Sequence, residues 1–296
     1  MKQAMTTTTV ALALLLASCT QQGNTEAAQT AASAGGAPAA ADQTKDPGMT
    51  ELKPPSPDAV LYVIYQRDGD GAISYEIDGG AMVTYWYGYP FTLKGKQYFT
   101  GFATSTEGEE GQDAETGMME PGHVAIAQAT FVKGEDAGQA KWTQLDTDGY
   151  VGEFGSNDQA DAVDDSRKPQ SHEIADGRLL LAVPTRSFND GIANASYAMF
   201  LFDPDNVDDL PFRKWGYLGS IAAGNDNAAG CEDGKVTPCA ASTGTLSFEA
   251  AGQAGLPNVK VAFTGKEISG PGKVRDLGAE DALTYVFDTK EGRYQP

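Results

Sequence analysis

Histidine is almost missing from this chain: His123 and His172 are the only two. Neutral-pH general-base chemistry and the commonest metal ligand are therefore restricted to two positions. His172-Glu173 is followed by Ile174-Ala175-Asp176, so the second histidine of the His-Glu-x-x-His zinc pattern is lacking. No serine occupies a Gly-x-Ser-x-Gly elbow, and no Gly-x-x-x-x-Gly-Lys-Ser/Thr phosphate loop occurs. Basic residues are scarce, 21 Lys and Arg against 41 Asp and Glu, for a net charge of −20. Such a surface repels nucleic acid and anionic headgroups and favours cationic partners. Long apolar runs are absent too. The longest, Val10 to Leu16 behind Met1-Lys2, is far short of the roughly 20 residues of a membrane span, so it targets the chain rather than crossing a bilayer.

Cysteine is sparing: Cys19, Cys231 and Cys239. The first ends Leu16-Ala17-Ser18-Cys19, which resembles the lipobox of bacterial lipoproteins. The resemblance implies a signal peptide over residues 1–18, a lipidated Cys19 and a membrane partner in the lipid anchor. Thr20, standing where Asp would retain such a protein at the inner membrane, implies delivery to the outer membrane. Export means an oxidising compartment, in which Cys231 and Cys239 are expected to form a disulfide. A metal site there would need further ligands, and no histidine or second cysteine pair lies nearby.

Residues 19–57 contain no aromatic side chain and are rich in Ala, Gly, Thr and Pro, a composition expected of a disordered tether. Residues 58–296 suit a single all-β domain. Val60 to Tyr65 and Ala72 to Ile77 flank Asp68-Gly69-Asp70-Gly71 and predict a hairpin. A calcium-loop register over this turn would put Gln66 and Ile77 at the end-ligand positions, so a turn is preferred. Further strands are predicted over 82–87, 98–104, 124–132, 179–183, 197–202, 245–249, 259–264 and 283–287.

A three-strand unit recurs. Gly95 to Phe102, Ala127 to Val132 and Lys141 to Leu145 parallel Gly177 to Ala182, Tyr197 to Pro204 and Lys214 to Leu218, with Trp142 and Trp215 in equivalent places. A weaker third copy runs through 244–248, 259–263 and 285–288. A strand, a Phe202-Asp203-Pro204 turn and then Trp215-Gly216-Tyr217-Leu218-Gly219 resemble a kelch-type propeller blade, although the family's double glycine is missing. An antiparallel propeller is thus the leading architecture and a β-sandwich its close alternative.

No cofactor is demanded. Asp203, Asp205, Asp208 and Asp209 form a candidate calcium loop, as does Asp146-Thr147-Asp148, but Asp and Asn serve ordinary turns equally and that reading is preferred. Glu107, Glu109, Glu110, Asp113, Glu115 and Glu120 surround Met118-Met119 and make one candidate surface for a cationic protein; Asp158, Asp161, Asp164 and Asp165 make a second. The aromatic set Tyr62, Tyr65, Tyr75, Tyr85, Trp86, Tyr87, Tyr89 and Phe91 is divided between a binding platform and cross-strand core pairs. The leading expectation is an outer-membrane-anchored, non-enzymatic acidic binding lipoprotein, similar in type to immunity and lysozyme-inhibitor lipoproteins that neutralise a cationic wall-degrading enzyme. A glycan-active enzyme using paired carboxylates, and a structural or assembly factor at the outer membrane, are the alternatives.

Overall fold

The computed structural model describes residues 52–106, 122–206 and 214–296. One helix, α1 (Pro57–Tyr65), precedes three antiparallel sheets. The first is a meander of β1 (Ser74–Glu76), β2 (Met82–Leu93), β3 (Lys96–Ser105), β4 (Val124–Asp136) and β5 (Gln139–Phe154). In the second, β6 (Ala162–Val163) and β7 (Gln170–Glu173) both pair with β8 (Leu179–Asn189), which continues to β9 (Ile192–Phe202) and β10 (Trp215–Asp226). The third runs β11 (Ser242–Ala251), β12 (Pro257–Gly270), β14 (Leu283–Asp288), β15 (Arg293–Gln295), with β13 (Lys273–Asp276) on the far half of β12. No helix among the described residues is long and apolar enough to cross a membrane.

Two-residue turns close three of these hairpins. Lys94-Gly95, Ala137-Gly138 and Asp190-Gly191 all take positive φ at both positions, the backbone whose twist matches paired strands. Glycine at the second position adopts it without strain.

The middle sheet is buried on both faces. Leu179, Leu181, Val183, Phe200, Phe202 and Trp215 join Phe102, Ile126 and Phe154 of the first sheet in one core. The alternate residues Leu180, Ala182, Tyr197, Met199, Leu218 and Ile221 join Val259, Val261 and Tyr285 of the third sheet in another. Continuous apolar sequence over 179–183 and 197–202 follows from this, because successive side chains point into different cores. Each sequence unit is indeed one antiparallel three-strand meander: β3 to β5, β8 to β10, and β11, β12 and β14. The sheets stack as layers and do not make a closed ring of blades, so the all-β antiparallel expectation holds while the propeller goes unconfirmed.

Trp142 and Trp215 are not equivalent. Trp215 is fully buried between sheets, with Leu218 buried on the opposite face. Trp142 lies half-buried on the outer face of the first sheet, its buried indole N–H without a partner among the described residues, and Leu145 is 39% exposed. Among the described residues α1 packs on that side of the first sheet, against Phe99, Ala129 and Phe131.

The expected hairpin from Val60 is corrected. Ser56-Pro57-Asp58 supplies an N-cap position, a proline at the start of the helix and an acid in its first turn, and these outweigh the strand preference of Val60 to Tyr65. The helix seats Val60 against Phe99, Ala129 and Phe131. Val60 approaches Gly101 so closely that a Cβ there would lie 2.6 Å from its methyl groups. Ala72 to Ile77 does yield β1, and Asp68 closes the intervening turn by accepting the Asp70 N–H at 2.9 Å.

Candidate functional site

The C-terminal end of β5 and the loop that follows it carry the acidic segment singled out in the sequence. Glu153, Asp158, Asp161, Asp164 and Asp165 lie on this stretch as it passes from the first sheet to the second. Asn157 and Asp158 form a tight turn in left-handed conformation, closed by pairing of Ser156 with Gln159. The Asp158 N–H donates to the Gly122 carbonyl at 2.9 Å, and the Trp86 indole N–H donates to the Asp161 carbonyl at 2.9 Å. Trp86 reaches the loop because a bulge at Trp86 in β2 turns it toward the first core.

Arg167 locks the far end. Its Nε pairs with Asp164 at 2.7 Å, its Nη2 donates to the carbonyls of Thr185 and Ser196 at 2.7 and 2.9 Å, and its guanidinium lies 4.7 Å from the centre of the Tyr197 ring. Burial alone would raise the Asp164 pKa, but hydrogen bonds from Ser166 and Arg167 outweigh it and hold the carboxyl below its ordinary value. Asp164 is thus consumed by structure. Asp161 differs: half-buried, it has no ion pair or side-chain hydrogen bond among the described residues, and burial pushes its pKa up. Asp161 lines two clefts. One, of about 680 Å³, also takes in His123, Glu153, Tyr217, Ser220 and Arg293 and so joins all three sheets. The other, of about 520 Å³, lies between this loop and the β8–β9 hairpin.

Glu107, Glu109, Glu110, Asp113, Glu115 and Glu120 lie outside the described residues, as do Cys19, Asp208 and Asp209. The chain leaves the described part at Thr106, whose N–H donates to the Met82 carbonyl, and re-enters at Gly122, which holds Asp158. Both anchors sit at the end of the first sheet that carries Glu153 and Asp158.

At the candidate calcium loop, oxygens are already taken by backbone N–H groups and lysines. The Asp203 carboxylate accepts the N–H groups of Asp205 and Asn206 at 3.0 and 3.1 Å, and Asp205 pairs with Lys94 at 2.6 Å. The Lys214 ammonium donates to the carbonyls of Pro204 and Asn206 at 2.9 and 3.0 Å, which places a resident cation in the turn. Asp146 accepts from Gln128 at 2.7 Å, and Asp148 caps the Tyr150 N–H. Among the described residues no three His, Cys, Asp or Glu side chains converge as metal ligands.

The bulge at Trp86 divides the aromatic set, so that Tyr85 and Tyr87 fall on opposite faces of β2. Tyr85 faces the α1 side, while Tyr87, Tyr89, Phe91 and Tyr98 stack successively at 6.3, 5.7 and 5.1 Å against the first core. Core packing, not a platform, is their main role. The Cys231–Cys239 disulfide is formed, with Cα atoms 5.2 Å apart. Its loop rests on the β8–β9 hairpin, where Gly230 lies against Gly191. Arg167 and Phe188 carried no sequence signal: Arg167 is held by Asp164 and the carbonyls of Thr185 and Ser196, and Phe188 lies on β8 opposite Ala193 of β9, beyond the β6 pairing.

Compared with protein-family models, curated proteins and solved structures, the chain matches none.

Proposed function

We propose that this protein is a lipid-anchored binding module whose acidic end captures a cationic protein, a basic wall-degrading enzyme being the class the charge and the lipobox favour together. The observation that carries the reading is Asp161, a half-buried carboxyl on a braced loop with no cation paired to it among the described residues. Glu153 lines one of the same clefts, Asp158 and Asp165 lie on the same segment, and net charge of −20 supplies the long-range field. Such a field speeds encounter with a basic partner, and a desolvated carboxylate waiting for a cation adds specificity. The anchor at Cys19 and outer-membrane delivery belong to the proposal through the lipobox.

The exported chain carrying Cys19→Ala, immobilised and challenged with periplasmic extract, tests it. A basic protein retained at low salt, released by added salt and lost from the triple variant Asp158→Asn, Asp161→Asn, Asp165→Asn is the expected result. Retention of nothing at any ionic strength overturns the reading, as does retention indifferent to the three substitutions. In cells, Cys19→Ala should move the protein from the membrane to the soluble fraction.

A further inference from the structure

We propose that the cleft between the β8–β9 hairpin and the loop at 156–161 binds a neutral saccharide, with Phe188 as its stacking platform. Beyond the Ala162–Arg186 pair the two chains are no longer bonded, and the space that opens is about 520 Å³, within the roughly 300–1,000 Å³ of small-ligand sites. Its walls include Ser156, Asn157, Gln159, Asp161, Arg186 and Phe188.

The composition selects the ligand. Its one acid, Asp161, and its one base, Arg186, form no ion pair with each other among the described residues but sum to zero charge, so the cleft as a whole favours neither anion nor cation. The remaining polar groups are amides and hydroxyls, which donate and accept together. Sugar hydroxyls do the same, and a pyranose ring also presents a C–H face that packs on an aromatic ring. Phe188 is the matching surface: it is 62% exposed and joins none of the aromatic contacts among the described residues. A purely apolar ligand would leave the amides unsatisfied, at a cost of about 1–3 kcal/mol for each polar group buried without a partner.

Both walls are built before any ligand arrives. The Asn157-Asp158 turn is tied to Gly122, and Asp161 is tied to Trp86. On the opposite wall, the Asp190-Gly191 turn is backed by Gly230 of the disulfide loop. A rigid cleft gives up little conformational entropy on binding.

This site does not depend on capture of a cationic protein, and salt separates the two. Titration calorimetry of the Cys19→Ala chain with chitobiose, cellobiose and maltose is the test. Binding of at least one disaccharide is expected, unchanged by added salt, weakened at least about tenfold in Phe188→Ala and retained in Phe188→Trp. Equal melting temperatures for the parent and Phe188→Ala show that the loss is not unfolding. No binding of any of the three up to about 20 mM, or equal affinity in Phe188→Ala, overturns the proposal.

Discussion

The indole N–H of Trp215, on the middle sheet, donates to the hydroxyl of Thr130, on the first sheet, at 3.0 Å inside a fully buried core. The same N–H is shared with Thr100 at 3.1 Å, and the Thr130 hydroxyl donates to the amide oxygen of Gln128, whose NH2 group donates to Asp146. A polar chain therefore stitches two apolar layers together. Each donor in it has an acceptor, which is the condition under which burial of such groups is tolerated.

Trp215→Ala should cost about 3–5 kcal/mol, the range for emptying a large aromatic site. Trp215→Phe is the more telling variant, because it keeps most of the volume and removes only the donor. It should cost about 1–3 kcal/mol for the hydroxyls left short of a partner. Urea unfolding measures both; a Trp215→Phe variant as stable as the parent would show that the network contributes nothing. Trp142→Ala, on the half-covered outer face, should cost less than Trp215→Ala.

Gly101 is small because α1 sits on it. Gly101→Ala would push a methyl group to 2.6 Å from Val60, so the helix must lift or shift. Overpacking of this kind costs about 1–3 kcal/mol. The double variant Gly101→Ala, Val60→Ala should recover part of the loss, and a thermal melt that shows simple additivity would contradict the contact.

The disulfide loop carries two fasteners. Besides the Cys231–Cys239 bond, Asn227 accepts the Ala240 N–H at 2.8 Å and donates to the Pro238 carbonyl at 2.9 Å. Cys231→Ser with Cys239→Ser should lower stability by about 2 kcal/mol, as loss of a short-loop constraint does. Asn227→Ala should then cost more in that background than in the oxidised protein, because the loop has lost its other tie. Chemical denaturation of the four forms checks the coupling.

Much of the fold is legible in the sequence. Leu179 to Val183 and Tyr197 to Phe202 announce strands by composition, and all eight strand segments predicted from Met82 onward lie inside strands. Stacking of three layers was visible only indirectly, in the spacing of Trp215 and Leu218. Val60 to Tyr65 misleads because β-branched and aromatic residues favour strands, whereas a Ser-Pro-Asp start and packing of Val60 on Phe99, Ala129 and Phe131 decide for a helix. The clefts were not legible at all. Phe188 beside an Asp-Gly turn looks like any hairpin residue, and Asp161 looks like its acidic neighbours until Trp86, 75 residues away in sequence, holds it in place.

Asp161 also sets up a conflict between stability and binding. Burial raises its pKa, so the folded state binds its proton more tightly than the unfolded chain does. Stability from this group is therefore greatest below the ordinary carboxyl pKa and declines as pH rises through the raised folded value. At neutral pH the charged form is a small liability. Asp161→Asn should accordingly stabilise the protein at pH 7 by less than about 1 kcal/mol, since solvent screens a half-exposed group. The gain should shrink at acid pH, where the parent carboxyl is neutral as well. The same substitution should weaken the salt-sensitive partner, whose cation would have replaced the water that Asp161 gave up. Melting curves across pH 3 to 8 for the parent and Asp161→Asn decide the matter: a variant less stable at pH 7 than at pH 3, relative to the parent, would mean that Asp161 already has a stabilising partner in the folded chain.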